Sequence, residues 1–164
     1  NFDVKLLPES DFLPHKRAFY FTNRYATHPF LKFQVGRISR DGKDGVFVLH
    51  LTKFEGRDIV RFYDYFGPRI LFKEAMLAAV SFAVSQGCWY IDCVSYGVYD
   101  DLKELGFQDA FAEQTFPRIT NYFWPPNKSL VRVNLAILGT DPGQVVLFRG
   151  SGDVIVPRQL PPFD

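Results

Sequence analysis

Residues 59–107 read IVRFYDYFGPRILFKEAMLAAVSFAVSQGCWYIDCVSYGVYDDLKELGF, and the order of signals within them decides the fold. Residues 58–66 read as a strand, and 65–70 as a tight turn. Pro68 suits the first turn of a helix, because its φ is fixed and its missing N–H would have no partner there. Leu71, Ala75, Ala79 and Phe82, with Phe72, Met76 and Ala83, then mark a broad apolar face at 3.6-residue spacing. Gly87 stands where such a helix stops. Residues 88–95 form a near-continuous apolar run, as expected of a central buried strand. A short helix over 100–105, stopped by Gly106, follows. Strand, helix, strand makes a crossover, so the two strands are expected to lie parallel.

Upstream, residues 2–7 alternate well enough for a strand that Pro8 ends. A helix is expected over 14–27, closed by Pro29, since the residue before a proline avoids the α region. Residues 30–40 and 45–53 read as strands joined by Asp41-Gly42-Lys43-Asp44, and Glu55-Gly56-Arg57 turns the chain into the strand at 58. Downstream, strand-like runs occupy 116–124, 130–138 and 145–149. The expected architecture is α/β (α+β): a mixed central sheet with a helix before the first hairpin, a long crossover helix, and a short helix before the C-terminal strands. A single domain over 1–156 is expected, with a proline-rich tail at 157–164. The chain opens at Asn1 without a methionine or a signal-like segment, so a piece of a longer protein is expected.

Composition narrows the function classes. The chain has 164 residues, 47% hydrophobic and 17% aromatic, enough for one good core. Nineteen basic residues against eighteen acidic ones give a net charge of +1, so nothing points to nucleic acid or anionic lipid. No apolar run approaches the roughly 20 residues of a membrane span. Cys88 and Cys93 stand an odd number apart on one expected strand. Opposite faces make them poor partners, and two reduced, largely buried thiols in a cytoplasmic protein are expected. His15, His28 and His50 are scattered without metal-ligand spacing, so no metal is expected. Asp92, inside an apolar run, must be paired or hydrogen-bonded. Arg57 and Arg61 face one way along their strand, interleaved with Asp58 and Asp64, and read as no basic patch.

Leu102-Lys103-Glu104-Leu105-Gly106-Phe107, placed after that order of elements, resembles the fourth-helix ending of the Gcn5-related N-acetyltransferase (GNAT) superfamily. Residues 23–29, Asn-Arg-Tyr-Ala-Thr-His-Pro, and 146–153 are similar to a GNAT-like subgroup from bacterial cell-surface polysaccharide and sugar-modification loci. The resemblance implies an acyl-CoA co-substrate such as acetyl-CoA, with its pyrophosphate held by backbone amides of the turn after the fourth strand. Here that turn gives Phe66, Gly67, Arg69 and Ile70 as cofactor-binding candidates. It has one glycine where the family usually has two, and Pro68 removes a donor. The plain alternative is that Gly67-Pro68 simply turns a strand into a helix.

The family's usual general acid would fall on Leu102, so Tyr96 or Tyr99 is the expected substitute, and Asp64 the expected base. Aromatic packing at the sheet end is the competing account of both tyrosines. The implied function is transfer of an acyl group from acyl-CoA to an amine, on a small molecule or amino sugar, with another transferase domain in the parent chain as a partner. An aminoacyl-tRNA donor, as in Fem-type transferases, fits the neutral charge poorly. The alternative is a non-catalytic GNAT-like binding or scaffolding module with a degenerate coenzyme A site.

Overall fold

A computed structural model describes residues 2–54, 56–109 and 141–151, and shows a mixed α+β architecture. Four strands form one sheet in the order β1 (Gln34–Arg40), β2 (Lys43–Phe54), β3 (Arg57–Phe66), β4 (Ile91–Cys93). The first hairpin is tighter than the expected four-residue connector. Asp41 and Gly42 take φ values of 52° and 72°, and Arg40 already faces Lys43. Positive φ at both central positions matches the right-handed twist of the flanking strands, which lets pairing run to the end.

Between β2 and β3 the register shifts at Val48 and Leu49, opposite Asp64 and Phe62, which leaves Tyr63 as an extra residue on β3. This bulge changes the alternation. Phe62 and Tyr65 both belong to the core on one face, while Tyr63 joins Val46, Val48 and Phe66 in the core on the other.

The crossover helix α2 (Phe72–Ser85) starts one turn later than expected, because Arg69–Leu71 forms a 3-10 turn after Pro68. Phe72, Ala75, Met76, Ala79 and Ala83 are its buried residues. At its end Gly87 has φ 66°, and the Cys88 N–H donates to the Ala83 carbonyl at 2.9 Å, closing the helix by the expected glycine device. The chain returns in β4, parallel to β3, with Val60 opposite Ile91 and Phe62 opposite Cys93.

The expected central strand over 88–95 is corrected in two respects. Regular pairing with β3 covers only three residues, and among the described residues β4 is an edge strand of the sheet, half-buried throughout. Ser95–Tyr96 (β5) turns away to pair antiparallel with Leu147–Phe148 (β6) in a separate two-stranded sheet. Beyond Phe62, β3 and the β4–β5 chain therefore part. A short helix, α3 (Tyr99–Glu104), follows, and Gly106 at φ 83° ends it, with the Phe107 N–H reaching the Leu102 carbonyl at 3.0 Å.

The N-terminal part also departs from expectation. Val4–Leu6 is a 3-10 turn, not a strand, and the Asp3 side chain accepts from the Lys5 N–H at 3.0 Å. The side-chain acceptor offers the backbone a local alternative to a ladder. The expected helix over 14–27 is regular only in α1 (Ala18–Phe21) and widens into a π turn over Thr22–Ala26. Between these, Leu13 bridges to Val145, with Leu13 N–H to Gln144 O at 2.8 Å and Val146 N–H to Leu13 O at 2.9 Å. The expected strands at 116–124 and 130–138 and the tail at 157–164 lie outside the described residues. Among the described residues no helix is long and apolar enough to cross a membrane.

Candidate functional site

The turn after β3 is built around Gly67, at φ 131°. A Cβ there would stand 2.7 Å from the Asp44 carbonyl oxygen and 2.9 Å from the Gly45 Cα. Glycine is therefore required by the fold itself, whatever binds nearby. Its N–H donates to Ser10 Oγ at 3.2 Å, and the Arg69 N–H donates to the Asp11 carboxylate at 2.9 Å. Pro68 has no N–H, and its carbonyl accepts from the Tyr65 hydroxyl at 2.8 Å. The Arg69 guanidinium is held by the Gly97 carbonyl at 3.0 Å and by Asp101 at 3.1 Å. Phe66 is fully buried and Ile70 is 59% exposed. Among the cofactor candidates, Gly67 and Arg69 thus already have partners within the chain, and Asp11 sets a carboxylate at the amide where an anion would dock.

The opening between β3 and β5 is also occupied. Phe148 packs its ring 5.7 Å from Phe62 and 5.6 Å from Phe72. The segment comes this close because Gly97, at φ 87°, has no side chain; a Cβ there would strike the Val145 carbonyl.

On the face opposite α2 lies a polar layer, and the bulge aims Asp64 into it. Asp64 is fully buried and ion-paired with Lys16, whose side chain is only 2% exposed. One carboxylate oxygen takes the Lys16 ammonium and the Tyr65 N–H; the other takes the Tyr25 hydroxyl at 2.5 Å. The Tyr20 hydroxyl stands 3.2 Å from that second oxygen but nearer the Gly150 carbonyl, which receives its single proton. The rings of Phe148, Phe66 and Tyr20 surround the ammonium at 5.2, 5.6 and 6.0 Å. Burial, then the Asp64 charge, push both the Tyr20 and the Tyr25 phenol above their usual range, so both remain neutral donors. Gly150 is small because Tyr25 needs the space: a Cβ there would collide with its hydroxyl.

Next along β3, Arg61 and Arg149 converge on Asp92, at 3.8 and 3.1 Å. Asp92 is thus paired, as its apolar sequence context requires. Burial lowers the Arg61 pKa, and Asp92 opposes the shift. The Arg149 guanidinium also sits 5.8 Å from the Tyr63 ring centre. Phe33 joins this patch to the rest, with His50, Tyr63, Tyr25 and His28 rings within 5.0–5.7 Å. Burial, then the Arg61 and Arg149 charges, press the His50 imidazole down to about 4, so it is neutral near pH 7.

The structure does not unite the expected catalytic set. Asp64 is hydrogen-bonded to Lys16 and Tyr25, not to Tyr96 or Tyr99, which are 41% and 58% exposed. Arg57 and Arg61, expected on one side of their strand, take different partners: Arg57 stacks on Trp89 at 4.2 Å. Cys88 and Cys93 are free, as expected; Cys88 is only half-buried, whereas Cys93, half-buried as a whole residue, has its thiol enclosed. Burial raises the Cys93 thiol to about 12. Among the described residues no group of three or more His, Cys, Asp or Glu side chains could hold a metal.

Lys16, Tyr20, Tyr25 and Arg149 were not among the sequence-derived candidates. The one available signal was Arg149, a charge at the end of an apolar run like Asp92. No family model, curated protein or solved structure matches this chain.

Proposed function

We propose that this chain is a recognition module on a GNAT-like scaffold, with its polar layer under the N-terminal segment as the functional face. The observation that carries this reading is the state of the β3–α2 turn. The two amides at Gly67 and Arg69 that would cradle a pyrophosphate already donate to Ser10 and Asp11, and the second acceptor is itself an anion. A phosphate would have to displace that carboxylate, and Pro68 offers no replacement donor. Asp64, with its oxygens saturated by buried donors, is poorly placed to take a proton from an incoming amine.

Calorimetric titration with acetyl-CoA tests the reading. No binding at millimolar ligand is expected, and no rise in melting temperature by linkage. A dissociation constant in the low micromolar range would reject it. Gly67→Val is unsuited to this test, since it would break the turn against Asp44.

One observation favours the second reading, an acyl-CoA-dependent N-acyltransferase acting on an amine such as an amino sugar. β3 parts from β4–β5 after Phe62, at the carboxyl end of the parallel pair, where open α/β sheets place their ligands. In that reading Tyr96 or Tyr99 protonates the leaving thiolate, and Phe148 must leave the opening before acetyl-CoA can enter.

A further inference from the structure

The π turn Thr22–Ala26 interrupts α1 where the polar layer begins, and it carries Arg24. The Arg24 Nε and Nη2 atoms are both shielded from water, and neither has a hydrogen-bond partner. These two nitrogens are not an arbitrary pair. Their N–H bonds lie along one edge of the guanidinium plane and point the same way, as the fork that receives two oxygens of a carboxylate or phosphate. Buried donors are ordinarily satisfied, and an unsatisfied charged pair calls for an explanation.

The surroundings favour an anion. The charges acting on the Tyr63 phenol, at the centre of the layer, come from Arg149, Arg61, Asp92 and Arg24: three guanidiniums and one carboxylate. His28, which feels the Arg24 charge, accepts at Nδ1 from the Phe30 and Leu31 N–H groups at 3.2 and 2.9 Å. That fixes the neutral tautomer with its proton on Nε2, a further donor. Asp64, the other acid of the layer, is already neutralised by Lys16. Arg24 as a whole is only half-buried.

We propose that the Arg24 edge receives one oxyanion, a carboxylate or phosphate group, of the ligand this face recognises. The inference rests on the recognition-module reading for calling the bound group a ligand rather than an acyl acceptor.

The probes are inorganic phosphate and acetate, titrated separately against the wild-type chain while the arginine Nε–H resonances are followed by NMR. The Arg24 resonance is expected to shift on saturation, and the probe bound more tightly names the class. Arg24→Lys keeps the charge but loses the fork, and should weaken binding about tenfold or more. Arg37→Lys, at an exposed pair with Asp44 on β1, should leave it unchanged. No shift of the Arg24 resonance with either probe overturns the proposal, as does equal weakening by both variants. Binding of acetyl-CoA that Arg24→Lys does not alter would instead reject the recognition-module reading and leave the oxyanion site standing.

Discussion

Under α2 the sheet meets Phe72, Ala75, Met76, Ala79 and Ala83, and its own contribution is Phe47, Leu49, Val60, Phe62 and Tyr65. On the opposite face Phe21, Tyr25, Val46, Val48, Tyr63 and Phe66 are equally buried, but they enclose Lys16, Asp64, Arg61 and Arg149. Both faces exclude water. The first is held by area removed from water, which is non-directional and tolerant of shape. The second is held by charges and phenols whose contacts have fixed directions, and it fails when one member is removed. A scaffold could be closed on both sides by apolar residues alone. That difference is why we place function on the second face.

The sharpest way to break the comparison is Asp64→Asn. The side chain keeps its size, so a packing account foresees little change. A buried ion-pair account foresees a loss of about 3–5 kcal/mol, because the Lys16 ammonium is left without its counter-charge among aromatic rings. Urea denaturation measures it. A loss under about 1 kcal/mol would put the two faces on the same footing. Lys16→Met combined with Asp64→Leu should recover only part of the stability, since it removes both charges but leaves the buried Tyr25 hydroxyl without its acceptor.

A smaller effect separates the faces by pH. His50 packs against Phe33 and Tyr63, and its pKa falls from 6.5 to about 4 on folding. The unfolded chain therefore binds the proton more readily than the folded one between those values. The neutral imidazole's contribution is complete above about pH 6.5 and is lost as pH falls towards 4, by at most about 3 kcal/mol. Comparing wild type with His50→Gln across that window isolates it from other titrating groups. The stability difference between the two proteins should change with pH; a constant difference would show that His50 is not held neutral by this layer.

The apolar face was legible in the sequence and the polar one was not. The helix over 72–85, its glycine stop and the parallel return to β3 follow from periodicity and from Gly87, both local signals. The register shift that puts Tyr63 and Asp64 on the polar face leaves no mark in IVRFYDYF, because a bulge is a property of two strands together. Lys16 sits in PHKRAFYF, inside the helix expected over 14–27, where nothing in the local sequence marks it as buried. Only the return of residues 145–150 across the molecule brings Phe148 and Gly150 over it. Asp64 stands near the end of a strand, which the sequence shows, but its partners come from segments 39 and 48 residues away. β4 is shorter than the apolar run over 88–95 because such a run reports burial, not pairing; residues 95–96 belong to another sheet.

The smallest effect is expected on the apolar face and serves as the control for Asp64→Asn. Met76 is fully buried in the core beneath α2. Met76→Leu nearly conserves volume, keeps good helix propensity and removes no hydrogen bond, so neighbouring side chains need only small adjustments. We expect a change below about 1.5 kcal/mol in either direction, with no dependence on pH between 4 and 6.5 beyond that of the wild type. If this near-isosteric change in the apolar core cost as much as the isosteric change at Asp64, directionality would not distinguish the two faces. Both would then be governed by shape alone, and the polar layer would lose its claim to be anything but a second core.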